Sequence, residues 1–174
     1  MLEVIEKRRS IRKYLKQEVK DEDIEKILSS AIKAPSGNNL QPWRFKIIKD
    51  DKLKEEIVEV DSKQVWMLTA PVFIAILGDT RERIKTKNYC ACEEAPEYEL
   101  KKVIRDCSNA AMCLMLEAEN LGLSTCWTGA YKQIEMKKVL NVPDYYYVCG
   151  ILTVGYSDQE PTKQIRKELQ EFII

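Results

Sequence analysis

Between Asp21 and Lys33 the apolar residues Ile24, Ile27, Leu28, Ala31 and Ile32 recur at i, i+3, i+4, i+7 and i+8. That stripe predicts an amphipathic helix, and the acids at its start suit the positive end of a helix dipole. The pattern breaks at "APSGNNLQP", where Pro35 restricts its predecessor and Gly37, Asn38 and Asn39 favour turns. "WRFKII" then alternates like a half-buried strand. Asp50-Asp51 can cap a second helix reaching about Val60, with Leu53, Ile57 and Val60 inward. "PVFIAIL", Pro71 to Leu77, is apolar throughout and of strand length, so it predicts a central strand buried on both faces.

Leu100 to Leu121 predicts a long helix in which every residue from Ala110 to Leu116 is apolar or small. A helix that is hydrophobic all round is covered all round. A chain of 174 residues has little interior to surround some 30 Å of helix, so a partner subunit is the economical cover. Gly122 then ends the helix as a left-handed cap. "STCWTGAY" reads as a strand entering a turn, Ile134 to Leu140 as a short helix, and "YYYVCGILTVGY" as another buried strand. Residues 157–174 form an arm whose Leu169, Phe172 and Ile173 need a surface to cover. Residues 79–98 are polar, mixed in charge and aperiodic, the pattern of a lid rather than of a second domain. With no repeat, low-complexity segment or boundary in view, residues 1–174 read as a single domain.

Composition narrows the class. Apolar content of 45% with 32% charged residues fits a globular protein, and 28 cations balance 28 acids. That balance gives no global attraction to nucleic acid or membrane surfaces. No apolar stretch approaches the ~20 residues of a membrane span, and Glu3, Glu6 and Arg8-Arg9 interrupt a leader-like start. The expectation is a cytoplasmic protein whose six cysteines are reduced thiols, several of them in apolar patterns such as "AAMCLM". Cys90 and Cys92 stand in a polar segment, but one C-x-C pair is a weak metal or redox signal. The absence of histidine excludes Ser-His and Cys-His nucleophiles and His-based metal sites. Chemistry then falls to carboxylates, Lys, Tyr, Cys or a cofactor.

"RRSIRKY", Arg8 to Tyr14, concentrates cations near the start of this neutral chain. Alone, a charge run beside a short helix is ordinary solvated surface. However, Arg8, Arg9 and Arg12 are arginines, whose forks match phosphate oxygens bidentately, and Ser10 places a hydroxyl among them. A second basic patch, Lys163, Arg166 and Lys167, lies at the far end. Neither G-x-G-x-x-G nor G-x-x-x-x-G-K-[ST] occurs, so side-chain cations must hold any phosphorylated ligand. "APSGNNLQPW" gathers Ser36, Asn38, Asn39 and Gln41, groups able to hydrogen-bond a flat heteroaromatic edge. In "CWTGA", Trp127 reads as core, while Thr128 and Gly129 let backbone N–H groups approach a ligand.

These motifs, in this order over about residues 2–170, resemble the nitroreductase family of FMN flavoproteins. The resemblance implies an α+β fold, a three-layer sandwich whose central, mostly antiparallel sheet is flanked by helices. It also implies an intertwined homodimer with FMN at the interface and the 157–174 arm packed on the partner. Arg8, Arg9, Ser10 and Arg12 would then hold the phosphate and ribityl chain, with Arg12 or Arg8 near the pyrimidine side of the ring. Pro35, Ser36 and Asn39 would come from the other subunit, Thr128 and Gly129 would sit near flavin N5, and Arg166 would close on the phosphate. Thr128 is the candidate donor to N5; no catalytic side chain is assigned and no metal is implied.

The chain departs from the family pattern in two places. Gln164 replaces the first cation of the K-x-R often found in the arm, leaving Lys163 or Lys167 to compensate. Lys63 or Gln64 stands where relatives place a ring-contacting Lys or Asn. The implied function is an NAD(P)H oxidoreductase passing hydride through flavin N5 to electron-poor substrates such as nitroaromatics or quinones. NADH and NADPH are equally compatible. Enone reduction and dehalogenation occur in the same family. A non-catalytic flavin-binding or redox-sensing protein, with Cys90 and Cys92 as sensor, is the alternative class.

Overall fold

The computed structural model describes residues 1–86, 89–93, 98–160 and 165–174. Four strands, β1 (Trp43–Ile48), β2 (Val72–Asp79), β3 (Ser124–Thr128) and β4 (Tyr146–Gly155), form one sheet in the order β1-β2-β4-β3, every pair antiparallel. Among the described residues, five α-helices flank it: α1 (Glu3–Lys7), α2 (Asp21–Ala31), α3 (Asp51–Val60), α4 (Tyr98–Asn120) and α5 (Gln133–Leu140).

Strand β2 is buried along its whole length, as its apolar run requires. Successive strand side chains point to opposite faces. Val72, Ile74 and Ile76 accordingly join a core with α2 and α4, while Phe73, Ala75 and Leu77 join a second core with α3 and α5. Helices on both faces of the sheet make three layers, the architecture expected. One irregularity interrupts the ladder: Ile76 pairs with Gly150 but Leu77 pairs with Val148, so Cys149 is an extra residue in β4. This bulge turns Cys149 toward the α2–α4 core while Val148 and Ile151 stay in the other.

The helices begin and end for local reasons. Asp50 caps α3 by accepting from the Leu53 amide at 2.8 Å. Helix α2 stops at Ala31, slightly before the expected Lys33, and Ile32 is 48% exposed rather than inward. Gly122 adopts φ +73° after α4. The amides of Gly122 and Leu123 return to the carbonyls of Glu119 and Ala118 at 3.0 and 2.8 Å, closing the helix in a Schellman arrangement. Within α4, Ala110, Ala111, Leu114, Met115 and Ala118 are buried, but Met112 is 45% exposed and Cys113 and Leu116 are half-buried. The chain itself therefore covers about half of the all-round apolar run.

The described part of the 79–98 excursion is anchored to the body. Ile84 and Ala91 cluster with Leu100, and the buried Lys137 ammonium donates to the carbonyls of Ala91 and Asp144 at 2.9 and 3.0 Å. At the C-terminal end a single 3-10 turn, Leu169–Phe172, carries a capping box between Glu168 and Glu171. Leu169, Phe172 and Ile173 remain exposed on it. No described helix is long and apolar enough to cross a membrane.

Candidate functional site

Residues 8–14 leave α1 and run beside β3, the last strand of the sheet. Ser10 bridges Thr125 in parallel, and the Ile11 amide donates to the Thr125 carbonyl at 3.0 Å. Ile11 and Tyr14 are buried. The Tyr14 hydroxyl donates to the Ile11 carbonyl at 2.8 Å and lies 2.7 Å from Thr153 Oγ1, and burial pushes its pKa up. The two bulky members of "RRSIRKY" thus fix the segment to the core and leave its cations facing outward.

Arg9 folds back over the end of α1, donating to the carbonyls of Glu6 and Arg8 at 2.5 and 2.9 Å. Arg8, Arg9 and Arg166 together line a cleft of about 500 Å³ whose apolar lining includes Ile5, Met112 and Leu116. Two arginines from the start of the chain and one from its end converge there, beside the uncovered face of α4. Glu119 lies near them; burial pushes its carboxyl up, against the pull of Arg8, Lys7 and Arg9. Because the pairing with β3 is parallel, Arg8 lies toward the start of that strand and Arg12 toward its Thr128 end. The Arg12 guanidinium stands 5.6 Å from the centre of the Trp66 ring, and its amide donates to Gln159 Oε1 at 3.2 Å.

At the Thr128 end, two loops are joined by a carboxylate. Asp61, directly after α3, is fully buried. Its Oδ1 accepts from the Ala130 amide at 2.9 Å and from Gln64 Nε2 at 3.1 Å, and its Oδ2 accepts from the Thr128 hydroxyl. Ser62 and Lys63 both adopt φ +54°, which turns the chain tightly enough for Ser62 Oγ to donate to the Ala130 carbonyl at 2.6 Å. Gly129 and Ala130 are exposed, and a Cβ on Gly129 would meet only Trp127 Nε1, at 3.9 Å. The backbone there is open to a planar ligand. Of the two residues weighed for the ring-contacting position, Gln64 lies in this junction, whereas Lys63 points outward and pairs with Glu59 at 3.0 Å.

Pro35, Ser36 and Asn39 lie on a separate turn of the chain. A 3-10 turn, Gly37–Asn39, continues through left-handed Asn38, Asn39 and Gln41, and Ser36 Oγ accepts from the Gln41 amide at 3.0 Å. Asp106 on α4 accepts from the Gly37 amide at 3.3 Å, and Arg83 donates to the Gly37 carbonyl and to Asp106 Oδ2, each at 3.0 Å. Asn109 Nδ2 reaches the Pro35 carbonyl at 3.5 Å. Along α4 the turn meets Asp106 and Asn109, whereas Met112 and Leu116 line the arginine cleft. Lys163 and Gln164 lie outside the described residues, and Lys167 pairs with Glu171 at 3.7 Å.

Sequence reasoning did not single out Asp61, Arg83 or Asp106. Asp61 carried one usable signal: an acid at the C-terminal end of a helix, where the dipole disfavours it, needs other partners.

The fold is that of a known class: residues 5–156 match the nitroreductase family, and the chain belongs to it. A provisionally named NADH dehydrogenase/NAD(P)H nitroreductase of Methanothermobacter thermautotrophicus is 32% identical over 165 residues, covering 92% of this chain and 79% of its own length. An iodotyrosine deiodinase of Thermotoga neapolitana is 28% identical, covering 97% of this chain and 95% of its own. Among solved structures, an FMN-dependent nitroreductase from Clostridium difficile R20291 superposes with a TM-score of 0.78 at 30% identity, over 95% of this chain and 92% of that one.

Proposed function

We propose that this protein is an FMN-dependent oxidoreductase, taking hydride from NADH or NADPH and reducing electron-poor small molecules such as nitroaromatics or quinones. One observation carries the reading: Arg8, Arg9 and Arg166 converge on a single cleft, and the segment that leaves Arg8 runs parallel beside β3, the strand that leads to the exposed Gly129. FMN, when bound, supplies the hydride chemistry through N5 of its ring.

The chain's own residues would do the rest. Arg8, Arg9 and Arg166 grip the phosphate with guanidinium forks, replacing the glycine loop this sequence lacks. Ser10 supports the ribityl chain. The parallel run beside β3 favours Arg12 over Arg8 for the pyrimidine side, where a fixed cation stabilises the charge that reduction adds. Gly129 brings its peptide close to N5. Thr128 contributes there through its main chain, because its hydroxyl proton is directed to Asp61.

Pro35, Ser36 and Asn39 complete the site from a second subunit. The packing of their turn against Asp106 and Asn109 of α4, and the exposed Met112 and half-buried Cys113 and Leu116 that follow on the same helix, support a homodimer built on that face. The exposed Leu169, Phe172 and Ile173 of the arm would pack on the partner. Six free thiols fit the reducing cytoplasm.

The direct test is the visible spectrum after incubation with FMN and removal of excess. One tightly held flavin per chain is expected; a colourless protein would overturn the proposal.

A further inference from the structure

We propose that Asp61 is a positioning residue that lowers the reduction potential of the flavin, an inference that rests on the flavin reading above. Asp61 is fully buried, and among the described residues no Lys or Arg pairs with it; the neighbouring Lys63 pairs with Glu59. Three donors converge on it from two loops: the Ala130 amide and Gln64 Nε2 on Oδ1, and the Thr128 hydroxyl on Oδ2. These contacts fix the relative placement of Gln64, Thr128 and Ala130, and therefore of Gly129, the open position between the last two.

Geometry alone does not call for an acid here. An asparagine could keep Oδ1 on Ala130 and Gln64, and its Nδ2 could donate to Thr128 Oγ1. The Thr128 proton would then turn to the Ile151 carbonyl, already 3.3 Å away. An amide would also avoid the desolvation cost of a buried, unpaired carboxylate. What the amide lacks is charge. A fixed negative charge at this junction opposes the arginines: it disfavours electron density on the ring and makes the reduced flavin a stronger donor.

The experiment measures the two-electron midpoint potential of the FMN-loaded protein, with cooperative melting recorded alongside. In Asp61→Asn, with the contacts kept and the charge removed, the potential is expected to move to a more positive value while melting stays cooperative. A purely structural brace would leave the potential where it was. Thr128→Val is the second variant, informative even if Asp61→Asn does not fold. It removes a donor from Oδ2, leaves the carboxylate less compensated, and is expected to shift the potential negative. An unchanged potential in either folded, flavin-loaded variant overturns the role of Asp61 alone. A wild-type chain that takes up no FMN overturns both this inference and the flavin reading.

Discussion

Arg8 and Lys13 illustrate how little a charge count says about a residue. Both belong to one basic run, yet Arg8 faces the cleft shared with Arg166 whereas Lys13 is exposed. The difference arises from Ile11 and Tyr14, whose burial sets the phase of the segment. Replacing Arg8 or Arg166 by alanine removes a charge-assisted pair worth about 1.5–3 kcal/mol. The FMN dissociation constant, read by quenching of flavin fluorescence, should therefore rise roughly ten- to a hundred-fold. Lys13→Ala should leave it unchanged. Residue type and company at both ends of the chain singled these arginines out in the sequence, and the structure brings Arg8, Arg9 and Arg166 to one cleft. Asp61 was not singled out, because two of its three partners, Thr128 and Ala130, come from β3 and the loop beyond, distant in sequence and specified only by the fold.

Apolar periodicity located every strand and the helices of the body, since burial against one face or two leaves a direct trace in the pattern. What it could not show was how elements interlock. The bulge at Cys149 depends on pairing with β2, and nothing in "YYVCGI" announces it. Gly150 is explained only by the neighbouring strand: a Cβ there would lie 2.5 Å from the Trp127 ring. Gly150→Ala should therefore cost about 1–3 kcal/mol by overpacking, visible as a lowered Tm.

Asp79, at the end of β2, was likewise hidden within an aperiodic stretch. Burial would raise its carboxyl, but hydrogen bonds and charge from Arg81, at 2.9 and 2.7 Å, outweigh it and hold the group below the usual carboxylate range. A depressed folded-state pKa contributes stability above the ordinary value near 4, lost as pH falls through the lowered one. Denaturant unfolding across that acid window should show a shallower pH dependence in Asp79→Asn than in the wild type.

At the scale of the molecule, three layers satisfy most of the chain but leave one face of α4 and the terminal arm uncovered. The all-round apolar run at Ala110–Leu116 pointed to such a face from the sequence alone. A second copy of the chain is the proposed cover, specified by a surface rather than by a motif. Sedimentation of the protein is expected to give a dimer, and Met112→Lys, which would bury an ammonium in the interface, is expected to shift it toward monomer.

We propose a flavin enzyme rather than a flavin carrier. It is tested most directly by anaerobic titration of the FMN-loaded protein with NADH and with NADPH, followed by addition of a quinone or nitroaromatic. At least one nicotinamide is expected to bleach the flavin absorbance stoichiometrically, and the acceptor to restore it. Bound flavin that neither nucleotide reduces would contradict the proposal.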